Sequence, residues 1–276
     1  MVGSVVRYLV AAGLVVLLAG CATPGHAGPT APPTEVAPSQ TVTATPSDDA
    51  SPSADAASSA VSAATTPPKA AADCSVVNCV AITYDDGPSP LTSQLLDIYI
   101  ERGAVATFFV HGPKVVNDPV TVQRAHDAGM EIGNHSSNHP NLSLQSAEVV
   151  AREIGDTQQQ VAAVTGQAPR LLRPPYGETS ATVNQIAGQQ GLSVVNWTDG
   201  PADWENHDAV TVAALTLARV RPGAIILMHD THQWTVDAAP AIIDGLRQQG
   251  YELVTVSQII GSPQPGQFYT DGQAPA

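Results

Sequence analysis

Cys79-Val80-Ala81-Ile82-Thr83-Tyr84-Asp85-Asp86-Gly87-Pro88-Ser89 decides how the rest of the chain is read. Val80 to Tyr84 is a short apolar run with the marks of a buried strand. It ends in two carboxylates and a Gly-Pro turn. Neighbouring strand residues point to opposite faces, so Asp85 and Asp86 can serve one site only if the chain turns there. Gly87-Pro88 supplies that turn. Taken alone, the cluster reads equally well as a solvated turn rich in Asp and Gly.

Outward from this stretch, apolar runs alternate with helical patterns. Strands are expected at Val105 to Val110, Glu131 to Asn134, Arg170 to Leu172, Ser193 to Trp197, Ala224 to Met228 and Glu252 to Val256. Helices are expected at Thr92 to Arg102, about Pro119 to Ala128, about Ser146 to Val164, Thr179 to Gln190, Val210 to Arg219 and Ala238 to Gln249. About seven strands in alternation with helices call for an α/β fold with a parallel sheet and helical crossovers. Polar clusters follow several different strands, as in a barrel whose C-terminal rim carries the site. A doubly wound open sheet is the alternative, since periodicity does not decide closure.

Composition divides the chain. Residues 22 to 72 hold 15 Ala, 9 Pro, 8 Thr and 7 Ser with no Phe, Trp or Tyr, so they read as a disordered linker. The globular part is then residues 73 to 262, followed by a flexible tail at 263–276. The globular part carries 9 basic and 20 acidic residues, a balance that excludes a nucleic-acid partner because clustered Lys and Arg are absent. Met1 to Gly20 is read as a signal peptide: one cation, Arg7, precedes an apolar stretch shorter than the ~20 residues a spanning helix needs. Leu18-Ala19-Gly20-Cys21 resembles the bacterial lipobox, which implies a lipidated Cys21 and an exported protein anchored to the outer face of the membrane. Cys74 and Cys79, an even pair in an oxidising compartment, are expected to form a disulfide; a metal pair is the weaker alternative.

Three further clusters bear on chemistry. His135-Ser136-Ser137-Asn138-His139 spaces two His four apart, as they would meet on one face of a helical turn, and the Asp pair could add a carboxylate to make a catalytic zinc set. In Arg173-Pro174-Pro175-Tyr176-Gly177, two prolines without N–H leave Tyr176 as the first free backbone donor after Arg173, on a stiff segment suited to an oxyanion. Ile225-Ile226-Leu227-Met228-His229 is a buried strand that delivers a general-acid candidate at its end. Trp197 and Trp204 suit packing on sugar rings, although at least one is expected in the core. His111, His126 and His207 read as surface or core residues, and His232 is ambiguous.

Tyr84-Asp85-Asp86-Gly87-Pro88, His135 to His139, Arg173 to Tyr176, Asp203-Trp204 and Leu227-Met228-His229, in this order, resemble the five motifs of the NodB-type polysaccharide deacetylases, carbohydrate esterase family four. The resemblance covers about residues 79 to 260. It implies a distorted (β/α) barrel, one divalent metal ion, usually zinc or cobalt, and hydrolysis of acetyl groups on an acetylated polysaccharide. It further implies that Asp86, His135 and His139 hold the metal, Asp85 is the base and His229 the acid. Arg173 would orient Asp85, the Tyr176 N–H would bind the oxyanion, and Leu227 with Trp204 would line the acetyl pocket.

One position departs from the family pattern. Gly200 stands where an Asp usually steadies the acid His, so Asp199, one residue early, is expected to contact His229 instead. The exported context favours the cell-wall glycan, peptidoglycan or chitin-like, as substrate. An O-acetyl xylan esterase, a non-catalytic glycan-binding lipoprotein and a metal-dependent amidase or peptidase are the other readings.

Overall fold

A computed structural model describes residues 72–273 of the protein. The signal segment 1–20, Cys21 and the linker up to residue 71 lie outside the described residues, as do residues 274–276. The described chain runs β1 (Cys79–Gly87), α1 (Thr92–Glu101), β2 (Thr107–Val110), α2 (Gly112–Asn117), α3 (Pro119–Asp127), β3 (Glu131–Asn134), α4 (Ala147–Thr165), β4 (Leu171–Leu172), α5 (Ala181–Gln189), β5 (Ser193–Val195), α6 (Ala209–Arg219), β6 (Ala224–His229), α7 (Gln233–Gln248), β7 (Glu252–Leu253), α8 (Val256–Ile260) and β8 (Phe268–Tyr269). No helix among the described residues is long and apolar enough to cross a membrane.

The strands lie side by side in the order β6-β1-β2-β3-β4-β5-β8, with β7 against the start of β1, and every ladder is parallel. Beyond β5 the chain crosses to β6: Thr198 N–H donates to Ile225 O (2.8 Å) and Leu227 N–H to Asp199 O (3.0 Å). The sheet thus curls into a distorted barrel whose seam is joined by single bridges, at Asp199–Ile226 and Ala224–Asp271.

Alternation along β1 divides its side chains between two environments. Val80, Ile82 and Tyr84 pack outward with Leu95, Leu96 and Tyr99 of α1 and Ile242, Ile243 and Leu246 of α7. Ala81 packs inside with Phe109, Leu171, Val195 and Ile225. Burial on both faces explains why the strands are continuously apolar rather than alternating with polar residues. Each fully buried Leu, Ile or Phe contributes roughly 1.5–3 kcal/mol of transfer free energy.

Several boundaries differ from expectation. The region 263–276, expected to be a flexible tail, contributes β8: Val194 pairs with Phe268 and Val195 with Tyr269, and Gly272 N–H donates to Gly223 O (2.8 Å). A two-residue strand among Pro and Gly leaves no periodic pattern to read. The last expected strand, Glu252 to Val256, stops at Leu253, because Thr255 and Gln258 form a capping box that starts α8. The long helix expected from Ser146 is present, with Ser146 accepting from Val149 N–H and Gly166 in the left-handed region (φ 75°). Cys74 and Cys79 form the expected disulfide (Cα–Cα 5.4 Å), fastening the segment before β1.

Candidate active site

The ends of four neighbouring strands bring the polar residues together. Register aligns Asp85 with Phe109 on one side and His229 on the other, and Val110 with Asn134. Inward parity continues from Ala81 through Thr83 to Asp85. Asp86 would therefore point out, but the ladder to β2 slips between Asp85 and Gly87 and Asp86 takes φ 72°. That bulge turns both carboxylates toward one site. Gly87 allows the close approach of Asp230: a Cβ on it would stand 2.3 Å from the Asp230 carboxylate.

Asp85 is buried against Arg173, whose Nη1 donates to Asp85 Oδ1 (2.7 Å) and to Thr83 Oγ1 (2.6 Å). The guanidinium also donates to the carbonyls of Val195 (3.3 Å) and Asn196 (3.0 Å) and lies 4.1 Å over the Phe109 ring. A buried cation with this many partners is fixed in orientation, and so is the carboxylate it holds.

Around Asp86 Oδ1 stand His111 Nε2 at 3.1 Å, His135 Nε2 at 3.4 Å and His139 Nε2 at 3.6 Å. One ligand atom from each of these four residues lies within 4.8 Å of all the others, a group able to hold a metal ion. The two expected His do not sit on a helical turn. Residues 135 to 139 form a loop in which Ser136 (φ 63°) and His139 (φ 55°) are left-handed, and this bending brings the rings together. Glu153 of α4 holds the loop by accepting from Ser137 N–H (3.1 Å) and Asn138 N–H (2.8 Å). Burial, then the charge of His135, bring the His139 pKa down to about 4. His111 joins the group, although its place in the sequence reads as that of a surface or core residue. The signal that could have found it is the one used for His229, a His directly after a buried strand.

Across the cavity, His229 ends β6. Asp203 Oδ1 lies 2.9 Å from His229 Nδ1, and Asp203 Oδ2 accepts from His229 N–H (2.7 Å) and the Thr235 hydroxyl (2.7 Å). Trp234 Nε1–H donates to Asp203 O (2.7 Å). Burial works against a charged His229, but the hydrogen bond and charge of Asp203 outweigh it, with Asp85 and Asp86 adding, and its pKa rises to about 9. Asp199 does not contact His229, contrary to expectation. Its backbone is committed to the barrel seam, and its carboxylate lies 3.5 Å from Arg219 Nη1. Nor does an Asp fit at position 200, where a Cβ would stand 2.5 Å from Leu227 O. Asp203 serves His229 because Ala202 takes φ 51°, a loop conformation with no sequence signature.

Asp85, Asp86, His135, His139, Pro174, Tyr176, Trp197, Trp204, Leu227 and His229 line one cavity of about 410 Å³. Tyr176 is left-handed (φ 62°), and its ring packs against His139 with centroids 4.6 Å apart. Trp204 stands perpendicular to the His229 ring at 5.6 Å. His207 and His232 pack on Trp234. His126 lies at the opposite end of the strands, in a cavity whose carboxylate, Glu131, is occupied by Ser257 and Thr107.

A family model described as polysaccharide deacetylase matches residues 73–195. The chain is 39% identical over 194 residues to the peptidoglycan-N-acetylglucosamine deacetylase PgdA of Listeria monocytogenes, covering 70% of this chain and 41% of that protein. It therefore spans about two fifths of that relative's length. It is 32% identical over 203 residues to a chitooligosaccharide deacetylase of Bradyrhizobium, covering 68% of this chain and 93% of the relative. A solved structure described as T48 deacetylase with substrate superposes with a TM-score of 0.69 at 37% identity, covering 72% of this chain and all of the other.

Proposed function

Because the chain belongs to the polysaccharide deacetylase family, we propose that it is a metal-dependent hydrolase removing acetyl groups from an N-acetylated cell-wall glycan. One observation carries this reading: a buried, Arg-held Asp85, an Asp203-held His229 and Asp86 with His135 and His139 face a single cavity. The names of the relatives point to peptidoglycan or chito-oligosaccharide as substrate class.

Imidazoles and one carboxylate make a donor set that fits zinc or cobalt. Held there by Asp86, His135 and His139, such an ion supplies Lewis acidity toward the acetyl carbonyl and toward water. Asp85 takes a proton from the water that attacks the acetyl carbon. Arg173 keeps its carboxylate aimed at the cavity while that proton moves. The Tyr176 N–H, on the stiff Pro174-Pro175 segment, donates to the oxygen as negative charge develops. Leu227 and Trp204 take the acetyl methyl. His229, bound to Asp203 through Nδ1, gives its Nε2 proton to the departing sugar nitrogen as the C–N bond breaks. An amide nitrogen does not leave as an anion, so this acid is essential. The products are acetate and a free amino sugar.

We also propose that Cys21 carries a lipid anchor at the outer face of the membrane, on the strength of Leu18-Ala19-Gly20-Cys21 after an apolar segment. Cys21→Ser should release the protein from the membrane fraction or leave it unprocessed; unchanged attachment contradicts the anchor.

Mass spectrometry of acetate released from peptidoglycan, chitin oligomers and acetylated xylan tests the substrate class. Release from either of the first two is expected. Release from xylan or acyl peptides alone overturns N-deacetylation of wall glycan, and a zinc-loaded protein inactive on every substrate favours a glycan-binding role.

A further inference from the structure

We infer that His111 is a fourth protein ligand of the metal ion, beyond the Asp86, His135 and His139 that the family resemblance implies; this rests on the metal-dependent reading above. The topology gives His111 and His135 matching places. Val110 and Asn134 are register partners on β2 and β3, and the two His are the next residues along each strand. His111 is buried, and its ring centroid lies 5.2 Å from those of both His135 and His139.

The ring nitrogens repeat the match. His135 Nδ1 lies 2.7 Å from Arg173 O, and His111 Nδ1 lies 3.4 Å from Ser136 O. A carbonyl oxygen only accepts, so each of these carbonyls is placed to hold an Nδ1 proton while Nε2 faces a metal ion. Those Nε2 atoms both face Asp86 Oδ1, at 3.1 Å for His111 and 3.4 Å for His135. His111 Nε2 is within hydrogen-bond distance of Asp86 Oδ1, and one ligand atom from each of Asp86, His111, His135 and His139 lies within 4.8 Å of all the others, so a single ion can reach all four. A backbone carbonyl behind a ligating imidazole is also the usual means of fixing its tautomer. Of the three His, His111 stands nearest to Asp86 Oδ1.

Three imidazoles and a carboxylate select zinc, cobalt or nickel over magnesium or calcium. They also leave fewer positions of the ion to solvent than two imidazoles would. The inference predicts tight retention of the ion as well as catalysis.

The test uses the full-length chain labelled with 15N-histidine and loaded with one equivalent of zinc. Long-range 1H–15N spectra should show three imidazoles with zinc-shifted Nε2. His111→Gln should reduce that count to two, with zinc affinity down by at least about 10-fold in competition with a chromophoric chelator, the loss that removing even an outer-shell partner brings. Stoichiometric zinc bound through His135 and His139 alone in the unaltered protein overturns the role of His111 and leaves the metal reading standing. Failure to bind stoichiometric zinc overturns both.

Discussion

The cavity places two carboxylate–histidine sets opposite each other, built from the same side chains for opposite ends. Around Asp86, imidazoles crowd one oxygen, and burial with mutual charge drives His139 down to about 4, so it is a lone-pair donor at neutral pH. Around Asp203, one imidazole meets one fully buried carboxylate that Thr235 and the His229 backbone also hold, and His229 rises to about 9, keeping its proton. Three histidines share Asp86 and one meets Asp203, and in the proposed function that difference separates the set that holds the ion from the pair that carries the proton.

The largest expected effects break this comparison apart. His135→Ala should lower both bound metal and acetate release, by about 10³-fold or more in rate where metal is limiting, because His135 is one of the side chains proposed to hold the ion. His229→Ala and Asp85→Asn should each retain metal and lose about 10²- to 10⁴-fold in kcat/KM, as deletion of a general acid or base does. Elemental analysis beside the kinetics checks both; equal metal loss in all three variants would erase the distinction.

Asp203→Asn is the next largest. With His229 raised to about 9, its acid form is full at neutral pH and is lost as pH rises through that value. Removing the carboxylate should let the pKa fall toward the ordinary ~6.5 of histidine. The alkaline limb of the kcat/KM profile should therefore move to lower pH with metal content constant. A stationary limb contradicts the assignment of Asp203. The smallest effect is expected for Asp199→Asn, where the exposed pair with Arg219 is worth about 0–1 kcal/mol and the limb should not move. A moving limb there would return Asp199 to the site.

What the sequence allowed to be read follows from where the information is local. Asp85, Asp86, Arg173 and His229 stand at the ends of apolar runs, and strand parity with a Gly-Pro turn is enough to gather them. His111 carried the same signal after Val110 but lacked a second His nearby to draw attention to it. The pairing of His229 with Asp203 was not legible, because it depends on a left-handed Ala202 and on Trp234 and Thr235, which lie some thirty residues further on. The convergence of His135 and His139 was expected for the wrong reason: a four-residue spacing suggested a helical turn, whereas two left-handed residues and Glu153 make the loop. Barrel closure and β8 depend on single bridges and a two-residue strand, too short for any periodicity to register.

Acetate release from an N-acetylated chito-oligosaccharide, followed in one preparation before chelation, after chelation and after zinc is returned, tests the central claim most directly. Release should stop when elemental analysis shows the metal gone and resume with one equivalent of zinc, the group of Asp86 and its histidines being the part proposed to hold the ion. Undiminished release from protein verified to be metal-free, or none from protein verified to be fully loaded, would contradict it.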